Sequence, residues 1–215
     1  MRALLLGILL LGCLAGTASA HPHVFVTSAS DIVYDQQGRV TGVKQSWTFD
    51  EAFSAYATQG LEQGSDGGYT RQALAPLAQT NVENLKEFGY FTFAKLGGKD
   101  LLFRDPVDYY LDYANNVLTL HFFLPLSSPQ MQSRKALALQ IYDPTYYVDF
   151  ELAETDPARI SGAPQGCLLD VHRPRPPSDA QKAAALQLDE AYFSALDANK
   201  NFGAQFANNI LVNCP

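Results

Sequence analysis

The alternation of apolar and polar residues from His23 to Phe49, broken once at Asp35-Gln36-Gln37-Gly38, is the feature that most limits what this chain can fold into. Val24 and Val26 fall on one side of the run, with Phe25 and Thr27 on the other. Beyond the turn, Val43, Gln45, Trp47 and Phe49 again share a side. Successive side chains of a strand point to opposite faces, so the pattern predicts a β-hairpin with one buried face.

At Asp50 the period changes. Ala52, Phe53, Tyr56 and Ala57 recur at helical spacing, and Asp50 is placed to cap the first turn. Gly60 to Gly68 breaks this helix. A second helical pattern then uses Leu74, Leu77, Ala78, Val82, Leu85 and Phe88, with Thr70 as its cap and Pro76 setting a kink or the first turn. Helix, Gly/Asp loop and helix together outline an EF-hand. Aligning Asp66-Gly67 with the fifth and sixth loop positions puts Glu62 first, Gly64 third, Thr70 ninth and Ala73 twelfth. The bidentate acid that calcium requires at the twelfth position is missing, so a vestigial loop without calcium is expected.

After Phe88 the pattern returns to β. Gly97-Gly98, Asn115-Asn116 and Asp143-Pro144 each separate two strand-like runs and read as hairpin turns. The expected fold class is α+β, dominated by an antiparallel sheet or sandwich, with an inserted degenerate EF-hand-like helix-loop-helix and a C-terminal helix. Residues 21–177 form the β-rich domain, with the helical insertion at about 50–89, and 178–215 a helical segment docked on it. That last helix is signalled by Ser178 and Gln181 as a capping box and by the stripe Ala184, Leu188, Ala191 and Ala195.

Residues 1–20 read as a signal peptide: Arg2, an apolar run from Ala3 to Leu14, and the small-x-small site Ala18-Ser19-Ala20. The apolar run is too short to span a bilayer, so no membrane insertion is expected after its removal. Leu10-Leu11-Gly12-Cys13 offers a rival, lipobox-like site. On either reading the protein is exported, and a periplasmic location is expected. Cys13 leaves with the signal, which makes Cys167 and Cys214 an even pair in an oxidising compartment and predicts a disulfide between them. The whole chain carries a net charge of −7 and has no basic run, which excludes nucleic acid as a partner.

Cleavage after Ala20 makes His21 the first residue and puts a free α-amine and the imidazoles of His21 and His23 within three residues. Pro22 has no amide hydrogen to lose, which blocks the square-planar copper/nickel mode that requires a deprotonated second amide. What remains is the amine with the imidazoles, a donor set suited to Zn, Ni, Co or Cu. Asp50, Glu51 and His121 are the candidates to complete this metal site. The competing assignments are a frayed polar terminus for the two N-terminal histidines, a helix cap for Asp50 and an ordinary sheet histidine for His121. Asp143 before Pro144 reads as a turn residue and His172 as an exposed one. No nucleophile motif or phosphate loop is present, so the chain is not read as an enzyme. A different class of function is a solute-binding or envelope-interaction module that uses Tyr109, Tyr110, Tyr142, Tyr146 and Tyr147 as a contact face.

Four segments carry a resemblance: His21-Pro22-His23-Val24-Phe25, Trp47-Thr48-Phe49-Asp50-Glu51, Tyr142-Asp143-Pro144-Thr145-Tyr146-Tyr147-Val148-Asp149, and Phe202-Gly203-Ala204-Gln205-Phe206-Ala207. Through them the chain resembles the exported bacterial family known as domain of unknown function 1007, whose members often carry an EF-hand-like stretch. The resemblance implies a metal-handling role beside a membrane metal transporter of ABC or nickel/cobalt type.

Overall fold

The computed structural model describes residues 23–65, 67–175, 178, 180, 181 and 201–215. Residues 1–20, expected to be a signal peptide, His21, Asp66 and the stripe from Ala184 to Ala195 lie outside them.

The first hairpin forms as its alternation predicts. β1 (Val24–Tyr34) and β2 (Arg39–Phe49) pair antiparallel with Ser28 opposite Trp47, and Val26, Ile32, Val43, Gln45 and Trp47 are all buried. Asp35 holds the turn, since its carboxylate accepts the Gln37 and Arg39 amides. Two helices follow, α1 (Glu51–Ala57) and α2 (Arg71–Leu85). Thr70 Oγ1 accepts the Ala73 amide and caps α2, which buries Leu74, Ala78 and Val82 along one stripe. Pro76 lies inside this helix. A 3-10 segment, Lys86–Phe91, then leads into β3 (Thr92–Leu96) and β4 (Lys99–Leu101).

β5 (Val107–Ala114) and β6 (Val117–Met131) pair around Asn115 and Asn116, whose φ values of 53° and 64° are the left-handed pair that a tight hairpin turn needs. The remaining strands are β7 (Leu137–Ile141), β8 (Val148–Leu152), β9 (Ala158–Ser161), β10 (Leu168–His172) and β11 (Asn208–Asn213). Among the described residues the strands form two sheets. One has the order β5-β6-β2-β1-β8, with β9 also beside β1; the other runs β10-β11-β7-β3-β4. Their inner faces share one hydrophobic cluster, in which Trp47, Leu120 and Phe150 of the first sheet meet Leu139, Ile141 and Ile210 of the second. The fold class is therefore α+β, with strands predominating, as the sequence implied.

Two expectations are corrected. Asp143-Pro144 does not turn a hairpin: β7 belongs to the second sheet and β8 to the first, where β8 runs parallel to β1, as does β9. The chain turns a corner between the sheets because Asp143 collects the Thr145 and Val148 amides while Tyr146 takes a φ of 60°. The C-terminal residues are also more than a docked helical segment. β11 is an interior strand between β10 and β7, and Cys167 is bonded to Cys214 just beyond the Leu168–Asn213 pair that ends the β10–β11 ladder. The Ser178 capping box does form, Ser178 Oγ accepting the Gln181 amide and Gln181 Oε1 accepting the Ser178 amide.

Candidate functional site

His23 stands at the entry to β1. Its amide donates to the Tyr147 carbonyl at 2.9 Å, and its ring lies 4.7 Å from the Tyr147 ring, side by side in the parallel β1–β8 register. The residue is exposed, yet its main chain is fixed by a sheet bond. Asp50 sits at the same end. Its Oδ1 accepts the Phe53 amide at 2.8 Å, capping α1, and its Oδ2 accepts the Phe25 amide at 2.9 Å, closing the β1–β2 pair. Each oxygen keeps further lone pairs. Glu51, exposed in the first turn of α1, follows directly.

His121 is elsewhere. It pairs with Ser46, four residues back along β2 from Asp50, a separation of about 13 Å at the usual strand rise. Its Nδ1 is 2.9 Å from Ser46 Oγ, its ring stacks on Tyr110 at 4.7 Å, and its Nε2 is 3.6 Å from Asp112. Arg71 grips Asp112 with two nitrogens at 2.6 and 2.9 Å and lies 3.9 Å over the Tyr110 ring. Burial pushes the His121 pKa down; Asp112 opposes that shift and Arg71 adds to it. His121 thus belongs to a clasp that ties α2 to β5 and β6. It also lines a cavity of about 380 Å³ with Asp31, Lys44, Asp108 and Arg159.

The structure accordingly brings His23, Asp50 and Glu51 to one end of the first sheet and leaves His121 partway along it. Among the described residues no group of three or more His, Cys, Asp or Glu side chains is placed to hold a metal ion, and His21 lies outside them. Asp143 is the turn residue its place before Pro144 suggested. It is buried, with Oδ1 accepting the Thr145 amide and hydroxyl and Oδ2 the Val148 amide. His172 is exposed and 2.9 Å from Asp170. The helix-loop-helix uses Thr70 as a cap, and Ala73 lies inside α2. The tyrosines do not share one face, because Tyr142 and Tyr146 are buried while Tyr109 and Tyr147 are exposed.

Two features escaped the sequence reading. Asp149 sits opposite Phe25, and burial raises its pKa, reinforced by the neighbouring Glu151. The second is a cleft of about 860 Å³ whose rim includes His23 and Tyr147 and whose walls include Phe49, Phe53, Phe88 and Phe150. These side chains come from four separate stretches of chain, and no spacing rule joins them. The single tryptophan, Trp47, was the available hint.

Two sheets around one core, a helix-loop-helix between β2 and β3, and a cleft at the start of β1 define an α+β protein with its N-terminal strand at the site. The chain belongs to the family described as protein of unknown function, DUF1007, which matches residues 6–214. It is similar to an uncharacterized protein of Haemophilus influenzae, 27% identical over 195 residues that cover 91% of each chain. It is also similar to an uncharacterized 15.5 kDa protein of Spirochaeta aurantia from the trpE 3' region, 28% identical over 95 residues, which are 44% of this chain and 67% of that protein.

Proposed function

We propose that this protein is a periplasmic accessory protein that binds a divalent transition metal, Zn, Ni, Co or Cu, for a membrane metal transporter of ABC or nickel/cobalt type. The observation that carries the reading is the anchoring of His23 by the Tyr147 carbonyl. A chain cut after Ala20 has its α-amine and the His21 imidazole within two residues of this fixed point, so its donors are held near a rigid strand. Asp50 and Glu51 are the carboxylates at the same end and complete the donor set; His121 takes no part.

Protein beginning at His21 is expected to take up about one equivalent of metal, displacing a proton from the amine. One residue added ahead of His21 removes the amine from the donor set and lowers the affinity. Equal affinity in the extended protein, read by competition with a chromophoric chelator, overturns the assignment of the amine. Retention of affinity in the His23→Ala variant overturns the site.

A further inference from the structure

The cleft beside His23 has a chemistry of its own. Its walls are Val24, Val26 and Phe49 of the first sheet, Phe53 of α1, Leu85 of α2, and the aromatic rings of Phe88 and Phe91, which stack 5.3 Å apart. At about 860 Å³ it is in the upper part of the range that small-molecule sites occupy. Phe88 is 42% exposed although its ring lines an apolar recess. Trp47 also lines it, and Trp47 Nε1 is, among the described residues, the buried side-chain polar atom without a hydrogen-bond partner. Phe91, which lines the cleft, has a φ of 46°, and two residues adjacent in sequence to lining residues also have positive φ, Tyr90 at 55° and Tyr146 at 60°. Such conformations persist where surrounding structure enforces them, and they cluster at ligand clamps.

The polar groups of the cleft define the other end of a ligand. Asn81 and Asn84 of α2, Thr145 and His23 are among the lining residues. Asn81 uses its Nδ2 on the Leu77 carbonyl, which leaves its Oδ1 to accept. Lysine and arginine are absent from the lining, and its carboxylate, Asp143, has both oxygens engaged by the Thr145 and Val148 amides. An anionic head group therefore meets no lysine or arginine here, whereas amide or hydroxyl groups can pair with the asparagines.

We infer that this cleft binds a small amphipathic molecule with an apolar body of one to two rings or an equivalent chain and an uncharged, hydrogen-bonding head. The inference does not rest on the metal reading, although His23 belongs to both sites, and metal-free protein tests it separately.

The test uses metal-free protein in chelator and two probes that share an aromatic body, uncharged N-phenyl-1-naphthylamine and anionic 8-anilinonaphthalene-1-sulfonate. The uncharged probe is expected to bind at a single site, to quench emission from Trp47, and to bind at least tenfold more tightly than the sulfonate. Phe88→Ala should weaken it about tenfold, and Asn84→Trp, at an exposed helix position, should fill the opening and abolish binding. Circular dichroism confirms that both variants fold. Absence of saturable binding overturns the site, as does unchanged affinity in Asn84→Trp. Equal or tighter binding of the sulfonate overturns the uncharged head.

Discussion

Gly203 lies so close to Asp143 that a Cβ on the glycine would stand 1.7 Å from the Asp143 carbonyl oxygen. The Gly203 amide donates to the Pro144 carbonyl at 2.9 Å, and Phe206 stacks on Tyr146 at 4.2 Å. Two segments some sixty residues apart, both among those that carry the family resemblance, are thus one packed unit. It sets the corner from which β8, Tyr147 and the cleft rim follow.

Gly203→Ala is expected to destabilise the protein by about 3 kcal/mol, the upper end for overpacking, because the obstructing atom is backbone and cannot rotate away. Urea denaturation measures the loss. A change within experimental error would show that the corner is not packed this way.

Gln45 accepts from Ser30 Oγ at 2.7 Å and donates to Thr92 Oγ1 at 3.1 Å, joining the two sheets through the core. Gln45→Leu leaves the buried Ser30 hydroxyl without its acceptor, while Thr92 Oγ1 still donates to the Tyr90 carbonyl, and should lower stability by about 1–3 kcal/mol. Adding Ser30→Ala, which removes the orphaned hydroxyl, should recover part of that loss, and the double-mutant cycle gives the coupling directly.

His121 provides a pH signature. Burial holds its folded pKa below the unfolded value of about 6.5, so as pH falls through that value the unfolded chain takes up the proton first. Stability attributable to this residue is therefore present above about pH 6.5 and declines as pH drops toward the folded pKa. The difference in unfolding free energy between wild type and His121→Gln, followed from pH 7.5 to 5, should shrink in favour of the variant. A flat difference refutes the shift.

Asp149 behaves in the opposite sense. Its folded pKa is raised, first by burial and then by Glu151, so ionisation opposes folding once pH exceeds the unfolded value. Asp149→Asn is expected to stabilise the protein at pH 7 and to have little effect at pH 3, a contrast that thermal melts at the two pH values resolve.

Cys167 and Cys214 are 47 residues apart, and closing a loop of that size restricts the unfolded chain by about 4 kcal/mol in the entropic treatment. Reduction should loosen β11, which ends one residue before Cys214, together with β10. Hydrogen exchange of Ile210 and Val212 amides before and after reduction reports this, and quantitative labelling of both thiols in native protein would refute the bridge.

Local rules were enough wherever an element is set by its own residues. The β1–β2 alternation, the Asp50 and Thr70 caps, the Asn115-Asn116 turn and the Ser178–Gln181 capping box depend on neighbours within a few positions, and each forms as its spacing predicts. Pairings between strands that no tight turn joins were not legible. An Asp-Pro step between two β runs reads as a hairpin locally, but β7 pairs with β3 and β11 in the second sheet and β8 with β1 in the first, each turning its apolar face to the shared core, and these long-range pairings outweigh the local preference. Likewise the pattern of β6 places His121 on a strand, but only the register with Ser46 puts it away from Asp50 and beneath the Arg71–Asp112 pair. The cleft belongs wholly to tertiary structure. Its walls come from distant segments whose apolar residues each look like ordinary core, and only packing decides which of them close on one another and which are left facing a space.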